Sequence, residues 1–230
     1  MGTEFAAVGR LLSSPARCAM LDVLLDGGSA TASELAAAAS VRASTASEHL
    51  AALVEGRMVA VAARGRTREY RIADREIALA LEALSRICPE RPVRSLRAAR
   101  TMEAMRGART CYDHLAGQLG VEILNALVQR RWLIAHDDDY TLVDSGEQAL
   151  VGLGVDVAAA RRQRRNFARA CLDWTERRPH LAGALGAALC QSVVGAGWVR
   201  RRRSGRGLTV TTLGVDQLAH AFGISLPPAP

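Results

Sequence analysis

The sequence predicts a mainly α fold with short β-hairpins, an α+β class, over 230 residues. Three observations predict it. Apolar residues recur at helical spacing, as in Leu21, Leu24 and Leu25 or Leu50, Leu53 and Val54. Two β-prone runs, Met58–Ala63 and Glu69–Ile72, flank a glycine-centred turn, the pattern of a hairpin. The stretch His114-Leu115-Ala116-Gly117-Gln118-Leu119-Gly120 returns 66 residues later as His180-Leu181-Ala182-Gly183-Ala184-Leu185-Gly186, so part of the chain is an internal repeat.

Taken in order, Glu4 to Leu25 reads as a helix interrupted near Ser13-Ser14-Pro15, with Ser14 as the cap and Pro15 in the first turn of the second piece. Asp26-Gly27-Gly28 stops it. Thr31 followed by Glu34 is a capping box for a short helix through Ala39. A second helix starts near Ser44 and runs to Glu55. Leu50, Leu53 and Val54 lie on one face; Ser44, Thr45, Ser47 and Glu48 lie on the other. Two short helices separated by about four residues form a helix-turn-helix, and the polar start of the second suits a major groove. The hairpin that follows carries Arg64, Arg66 and Arg68 at its tip, placed to reach phosphates or the minor groove.

Ser14-Pro15-Ala16-Arg17, Glu34-Leu35-Ala36, Ser44-Thr45-Ala46-Ser47-Glu48-His49-Leu50 and Arg64-Gly65-Arg66-Thr67-Arg68-Glu69-Tyr70 together resemble the ArsR-type winged-helix repressors of bacteria, over roughly residues 5–87. The resemblance implies a homodimer that occupies an inverted-repeat operator in double-stranded DNA and leaves it when an inducer binds. It also implies dimer contacts through the first helix and Asp74 to Ile87. Two departures matter. Where arsenic-sensing members carry a Cys-x-Cys pair, this chain has Leu35-Ala36-Ala37-Ala38-Ala39. Asp74 and Glu76 are present where others bind zinc-like metals, but no histidine follows on the last helix. Neither standard metal site carries over, so a sensor is expected elsewhere.

Cys88-Pro89-Glu90-Arg91-Pro92 is a breaker and the expected domain boundary. The expected organisation is a winged helix-turn-helix domain at 1–88, a linker helix at 89–110, two winged-helix-like repeats at 111–156 and 157–226, and a disordered tail at 227–230. Val93 to Arg109 is helical by pattern. Each repeat reads as helix, hairpin, helix, the first helix running from His114 to Arg131 with Leu115, Leu119, Ile123 and Leu127 on one face. Trp132 and Trp198 share the repeat offset, and the second copy carries six extra residues, Trp174 to Pro179.

Such a repeat brings matching residues into related positions. The candidate ligand or metal residues are therefore Cys111, Tyr112, Asp113, His114, Cys171, Asp173, Trp174, Glu176 and His180. Thiolate, imidazole and carboxylate together hold zinc-like metals, and thiolates hold arsenic-like ions. The same residues also describe a small core with buried cysteines and capping aspartates, or a pocket for an organic molecule. The cofactor is thus open between none, a metal or metalloid ion and a small organic effector. Two arginine clusters remain. Arg161, Arg165 and Arg169 fit one helix face, and Arg200 to Arg203 with Arg206 sit where the second repeat's hairpin is expected. Asp137-Asp138-Asp139 occupies the matching place in the first repeat and would repel phosphates.

Composition agrees. Apolar residues make up 49% and charged residues 23%, a globular balance. All thirty basic residues are arginine, the formal charge is +7 and the pI is near 9.9, which fits a nucleic-acid partner. No run of about 18 apolar residues exists to cross a membrane, and no secretory leader is evident, so a cytoplasmic setting without a membrane partner is expected. There the five cysteines are thiols or ligands rather than a disulfide framework. No enzyme signature appears: neither a phosphate-cradling glycine loop, nor a nucleophile elbow, nor a metalloprotease helix. The function expected is a DNA-binding transcriptional repressor released by a ligand sensed in the C-terminal half. Arg42, Ser44, Thr45, Ser47, Glu48, His49, Arg64, Arg66 and Arg68 would be its DNA contacts. The alternatives are a ligand-independent architectural DNA-binding protein and a thiol-based redox or metal(loid) sensor.

Overall fold

A computed structural model describes residues 4–25, 28–65, 67–88, 96–202 and 206–225. They fall into two compact units, Met1–Ser85 and Arg86–Pro230.

The first unit starts with α1 (Phe5–Leu12) and α2 (Pro15–Leu24). The Ser14 side chain accepts from the Arg17 amide at the start of α2. After β1 (Ala30–Thr31) comes α3 (Ala32–Ala39), whose capping box forms as the spacing predicts. Thr31 accepts from the Glu34 amide, and Glu34 accepts from the Thr31 amide. These bonds hold the Glu34 carboxyl below the usual range. The helix α4 (Ala43–Glu55) follows, then the hairpin β2 (Val59–Arg64) and β3 (Thr67–Ile72), then α5 (Arg75–Ser85). β1 is not expected from the sequence. It pairs through Ala30 with Tyr70 and through Thr31 with Glu69, making a three-stranded sheet in the order β1-β3-β2. Met20, Leu21 and Leu24 of α2, Leu35 of α3, and Ala46, Leu50 and Leu53 of α4 are all buried. Complete burial of a leucine side chain contributes about 1.5–3 kcal/mol, which fixes α4 on α2 and α3 by its apolar face and leaves its polar face outward.

The second unit starts with α6 (Leu96–Gly107), so the stretch expected as a linker helix belongs to this body; residues 89–95 lie outside the described residues, as does the tail at 227–230. Next come a hairpin, β4 (Arg109–Cys111) and β5 (His114–Ala116), the helix α7 (Gly117–Gln129), a hairpin, β6 (Leu133–His136) and β7 (Asp139–Leu142), and α8 (Asp144–Gly152). After α9 (Val157–Arg161) the same order returns: β8 (Arg169–Leu172), β9 (Pro179–Ala182), α10 (Gly183–Gly195), β10 (Val199–Arg201), β11 (Leu208–Val210) and α11 (Thr212–Phe222). Each half therefore opens on a strand pair, where the sequence predicts a helix. The expected helix from His114 begins at Gly117 instead. The reason is backbone geometry. Gly117 and Gly183 have φ of +72° and +86°, and a Cβ at either would lie within 2.7 Å of a backbone carbonyl oxygen. A left-handed residue ends the strand and turns the chain into the helix, and glycine alone takes it without strain. The arginines at 161, 165 and 169 do not share a helix face either: α9 stops at Arg161 and Arg169 lies in β8.

Strands β6-β7-β8-β9 form one sheet across both halves. The helices pack reciprocally, α7 on β9 and α10 on β5. Gly120 and Gly186 permit this approach. A Cβ on Gly120 would meet the Leu115 carbonyl oxygen at 2.5 Å and His180 Cβ at 3.4 Å; one on Gly186 would meet the Leu181 oxygen at 2.4 Å and His114 Cβ at 3.4 Å. The core between them contains Leu119, Ile123, Leu127, Leu185 and Leu189, with Trp198 and Phe222 beyond. Arg206, expected at the second repeat's hairpin, lies between β10 and β11 but is buried, and its carbonyl accepts from the Thr110 amide. Arg203 lies outside the described residues, whereas Arg200, Arg201 and Arg202 are exposed.

Candidate functional site

Among the described residues two groups carry chemistry, one in each unit. In the first, α3 ends with Ser40 in the left-handed region (φ 55°), and Val41 and Arg42 lead into α4. Arg42 is the N-cap and is exposed. Along the first turns of α4, Ser44, Ser47 and Glu48 are exposed and Thr45 and His49 are half-buried, while Ala46 and Leu50 point inward. The Ser47 hydroxyl donates to the Ala43 carbonyl at 3.0 Å, a local bond that a better acceptor can replace. The β2–β3 hairpin is buried only at its base, at Val59 and Ile72. Its outer part stands in solvent with Arg64 and Arg68 exposed, and Arg64 lies 3.3 Å from Glu69. Exposed pairs of this kind contribute little and yield readily to a phosphate. Arg66 lies outside the described residues.

In the second unit the two repeated hairpins face each other. Cys111 and His114 are direct cross-strand partners across β4 and β5; Cys171 and His180 are direct partners across β8 and β9. Directly opposed residues project from the same face of a hairpin, so each hairpin presents one thiol and one imidazole together. The four meet in the interior. Cys111 and Cys171 sulfurs are 3.9 Å apart, the Nε2 atoms of His114 and His180 are 3.2 Å apart, and all four ligand atoms lie within 4.8 Å of one another. Cys111, His114 and His180 are buried and Cys171 is half-buried.

Behind each imidazole stands a carboxylate. His114 Nδ1 is 3.1 Å from Asp113 Oδ1, and His180 Nδ1 is 3.2 Å from Asp173 Oδ2. Each carboxylate is held in turn by an arginine. Arg165 donates to Asp113, and Arg109 donates to Asp173 at 2.9 Å. Asp173 also accepts from the amides of Gly117, Thr175 and Glu176 and from the Thr175 hydroxyl. Burial raises both carboxyls, but the imidazoles and arginines outweigh it and hold both below the usual range. The Arg109 guanidinium is fully buried and lies 5.0 Å from the centre of the Trp174 ring.

The segment 12–62, which spans α2 to β2, matches the family model described as a helix-turn-helix domain. Over 214 residues the chain is 39% identical to the uncharacterized HTH-type transcriptional regulator YdfF of Bacillus subtilis (strain 168), covering 93% of this chain and 95% of that one. The chain belongs to the HTH-type transcriptional regulators. Among solved structures, this regulator is similar to the cadmium metal-sensor CMTR from Mycobacterium tuberculosis (33% identity, 40% of this chain, 99% of that chain, TM-score 0.32). It is also similar to the homodimeric winged helix-turn-helix DNA-binding domain Mb0332, a possible ArsR-family regulator from Mycobacterium bovis (29%, 38% of this chain, 88% of that chain, TM-score 0.33).

The protein is a DNA-binding transcriptional regulator, and the matched helix-turn-helix segment lies in its first unit. Of the nine candidates in its second unit, four converge and two, Asp113 and Asp173, orient the imidazoles. Three stand outside the cluster. Tyr112 sits in the tight β4–β5 turn at φ 57°, Trp174 covers Arg109, and Glu176 contributes its backbone amide to Asp173. Sequence reasoning missed Arg109, Arg165 and Thr175. Aligning the repeats at Cys111 and Cys171 pairs Arg109 with Arg169, yet the arginine on Asp113 is Arg165. The missing signal is therefore one of packing, since Arg165 comes from the connection between the halves.

Proposed function

We propose that the regulator is an ArsR-type repressor that binds an inverted-repeat operator as a homodimer and is released by an effector bound in the second unit. One observation carries the reading: the buried face of α4 holds it on α2 and α3 while its polar N-terminal edge stays free beside an arginine-bearing hairpin. In this arrangement Ser44, Thr45, Ser47, Glu48 and His49 read base edges, Arg42 meets a phosphate, and Arg64, Arg66 and Arg68 grip the backbone or minor groove. The terminal helices support the dimer. None of the residues of α1 is buried, Phe5 and Val8 are 80% and 45% exposed, and Leu84 of α5 is 38% exposed, so apolar surface is available for a second copy. A response to an effector requires that it bind the DNA-competent and released forms with different affinity.

Fluorescence anisotropy on promoter fragments tests the DNA surface. Replacing Arg64 and Arg68 by alanine should weaken binding to all sequences and reduce the salt slope by about 0.9 for each phosphate no longer neutralised. Replacing Thr45 and Ser47 by alanine should instead relax operator preference, by about 1–3 kcal/mol for each well-formed base-edge interaction removed. A salt slope unchanged in the first variant removes the wing from the interface. Unchanged operator choice in the second removes α4 as the reader.

A further inference from the structure

We infer that Cys111, His114, Cys171 and His180 form a single tetrahedral site for a zinc-class divalent ion, one per chain, that ties the two hairpins of the second unit together. The donor set and the spacing both support it. Zinc–sulfur bonds of about 2.3 Å and zinc–nitrogen bonds of about 2.0–2.1 Å in a tetrahedron put the two sulfurs about 3.8 Å apart and the two nitrogens about 3.3–3.4 Å apart. The observed separations are 3.9 Å and 3.2 Å.

The orientation of the imidazoles points the same way. Both Nδ1 atoms lie 3.1–3.2 Å from carboxylate oxygens, a setting that favours the proton on Nδ1 and frees each Nε2 to bind a cation. The two Nε2 atoms face each other across 3.2 Å beside two sulfurs, a cluster of donor atoms that a metal ion between them would engage together. Carboxylate behind imidazole is the arrangement that fixes the tautomer of a metal-bound histidine and raises its basicity. Here it occurs twice, and each carboxylate is anchored by a buried or half-buried arginine.

Four protein donors close the coordination sphere, so the ion has no open position for substrate and serves structure or signalling rather than catalysis. Cys171 is the least buried of the four ligands. Because each hairpin contributes one thiol and one imidazole, neither can hold the ion alone; binding requires both halves of the repeat in register. The site lies in a different unit from α3 and α5, where the ArsR-type metal sites would fall. Its assignment stands without the DNA reading. Only its role as the effector rests on the repressor reading above.

The test uses the full chain, reduced, stripped with a chelator and titrated with cobalt(II) and then zinc(II). Expected are one cobalt per chain with the intense visible bands of four-coordinate cobalt and near-ultraviolet thiolate charge transfer, displaced by zinc. Cys111→Ser and Cys171→Ser should each abolish the charge-transfer band or shift it to that of a one-thiolate site. Asp113→Asn, at the rim where folding is least at risk, should keep the spectrum and weaken affinity about 10- to 100-fold. Reduced, folded wild-type protein that gives no tetrahedral cobalt spectrum overturns the site. So does a cobalt spectrum unaltered in both cysteine variants, or a purified chain whose Cys111 and Cys171 are joined as a disulfide and which binds no metal once reduced. Operator binding measured in the same samples separates the two claims. Metal bound with no change in DNA affinity leaves the site standing and removes the ion as effector, whereas DNA binding without any metal uptake removes the site and leaves the DNA reading intact.

Discussion

Replacing Arg109 by methionine is expected to destabilise the second unit by about 3–5 kcal/mol, the usual cost of breaking a buried ion pair from one side. Arg109 and Asp173 side chains are both fully buried. Methionine would leave the Asp173 carboxylate without its guanidinium and remove the cation above Trp174. It would also remove the donor that Arg109 now supplies to the Thr175 hydroxyl oxygen and the Met105 carbonyl. All three tryptophans, Trp132, Trp174 and Trp198, lie in this unit, so their fluorescence during urea unfolding reports on it alone. The midpoint should fall sharply. A cycle with Asp173→Asn, which preserves shape while removing charge, measures the coupling. A coupling energy below about 0.5 kcal/mol, the range of independent sites, would show that the pair does not hold the hairpins.

The second large effect is expected at Leu53. It is fully buried on the inner face of α4, and truncation to alanine should cost the first unit about 2–5 kcal/mol through reduced burial and the cavity left behind. No tryptophan lies in this unit, so helical circular dichroism and operator affinity are the measurements. Both should decline together as denaturant is added, at a lower midpoint than in the native chain. Ser47→Ala, on the exposed edge of the same helix, should alter operator preference with the circular dichroism midpoint unchanged. If Leu53→Ala melts like the native chain, α4 is not fixed by its apolar face and the orientation of its polar edge loses its basis.

In the first unit most of the fold is legible because its signals are local. A capping box acts over three residues, a proline at a helix start over one turn, and an apolar stripe over i, i+3 and i+4. α2, α3, α4 and the hairpin follow from such signals; β1 does not, since a two-residue strand is defined only by its partners Tyr70 and Glu69. In the second unit the apolar spacing of Leu115 and Leu119 extends the helix backward over His114, and the positive φ of Gly117 overrules it.

The repeat nonetheless groups the cysteines, histidines and aspartates together. Residues three apart share a side both on a helix and across a two-residue turn, so the error in local structure does not separate Cys111 from His114. What no spacing could supply is which of nine candidates converge and which arginines support them. Arg109 and Asp173 are 64 residues apart, and Arg165 and Asp113 are 52.

By itself, then, the order of residues determined that this chain carries a helix with a polar edge, an arginine-bearing hairpin and a duplicated half with matched thiols and imidazoles. Tertiary structure alone decided that two hairpins stack with those groups inward, that aspartates turn both Nε2 atoms toward one point, and that one buried and one half-buried arginine lock the aspartates. The physical reason is range. Hydrogen bonds and steric preferences between near neighbours are written in short segments, whereas a site with four ligands spread over about 70 residues exists only once the register of both hairpins and the packing of α7 and α10 across them are set.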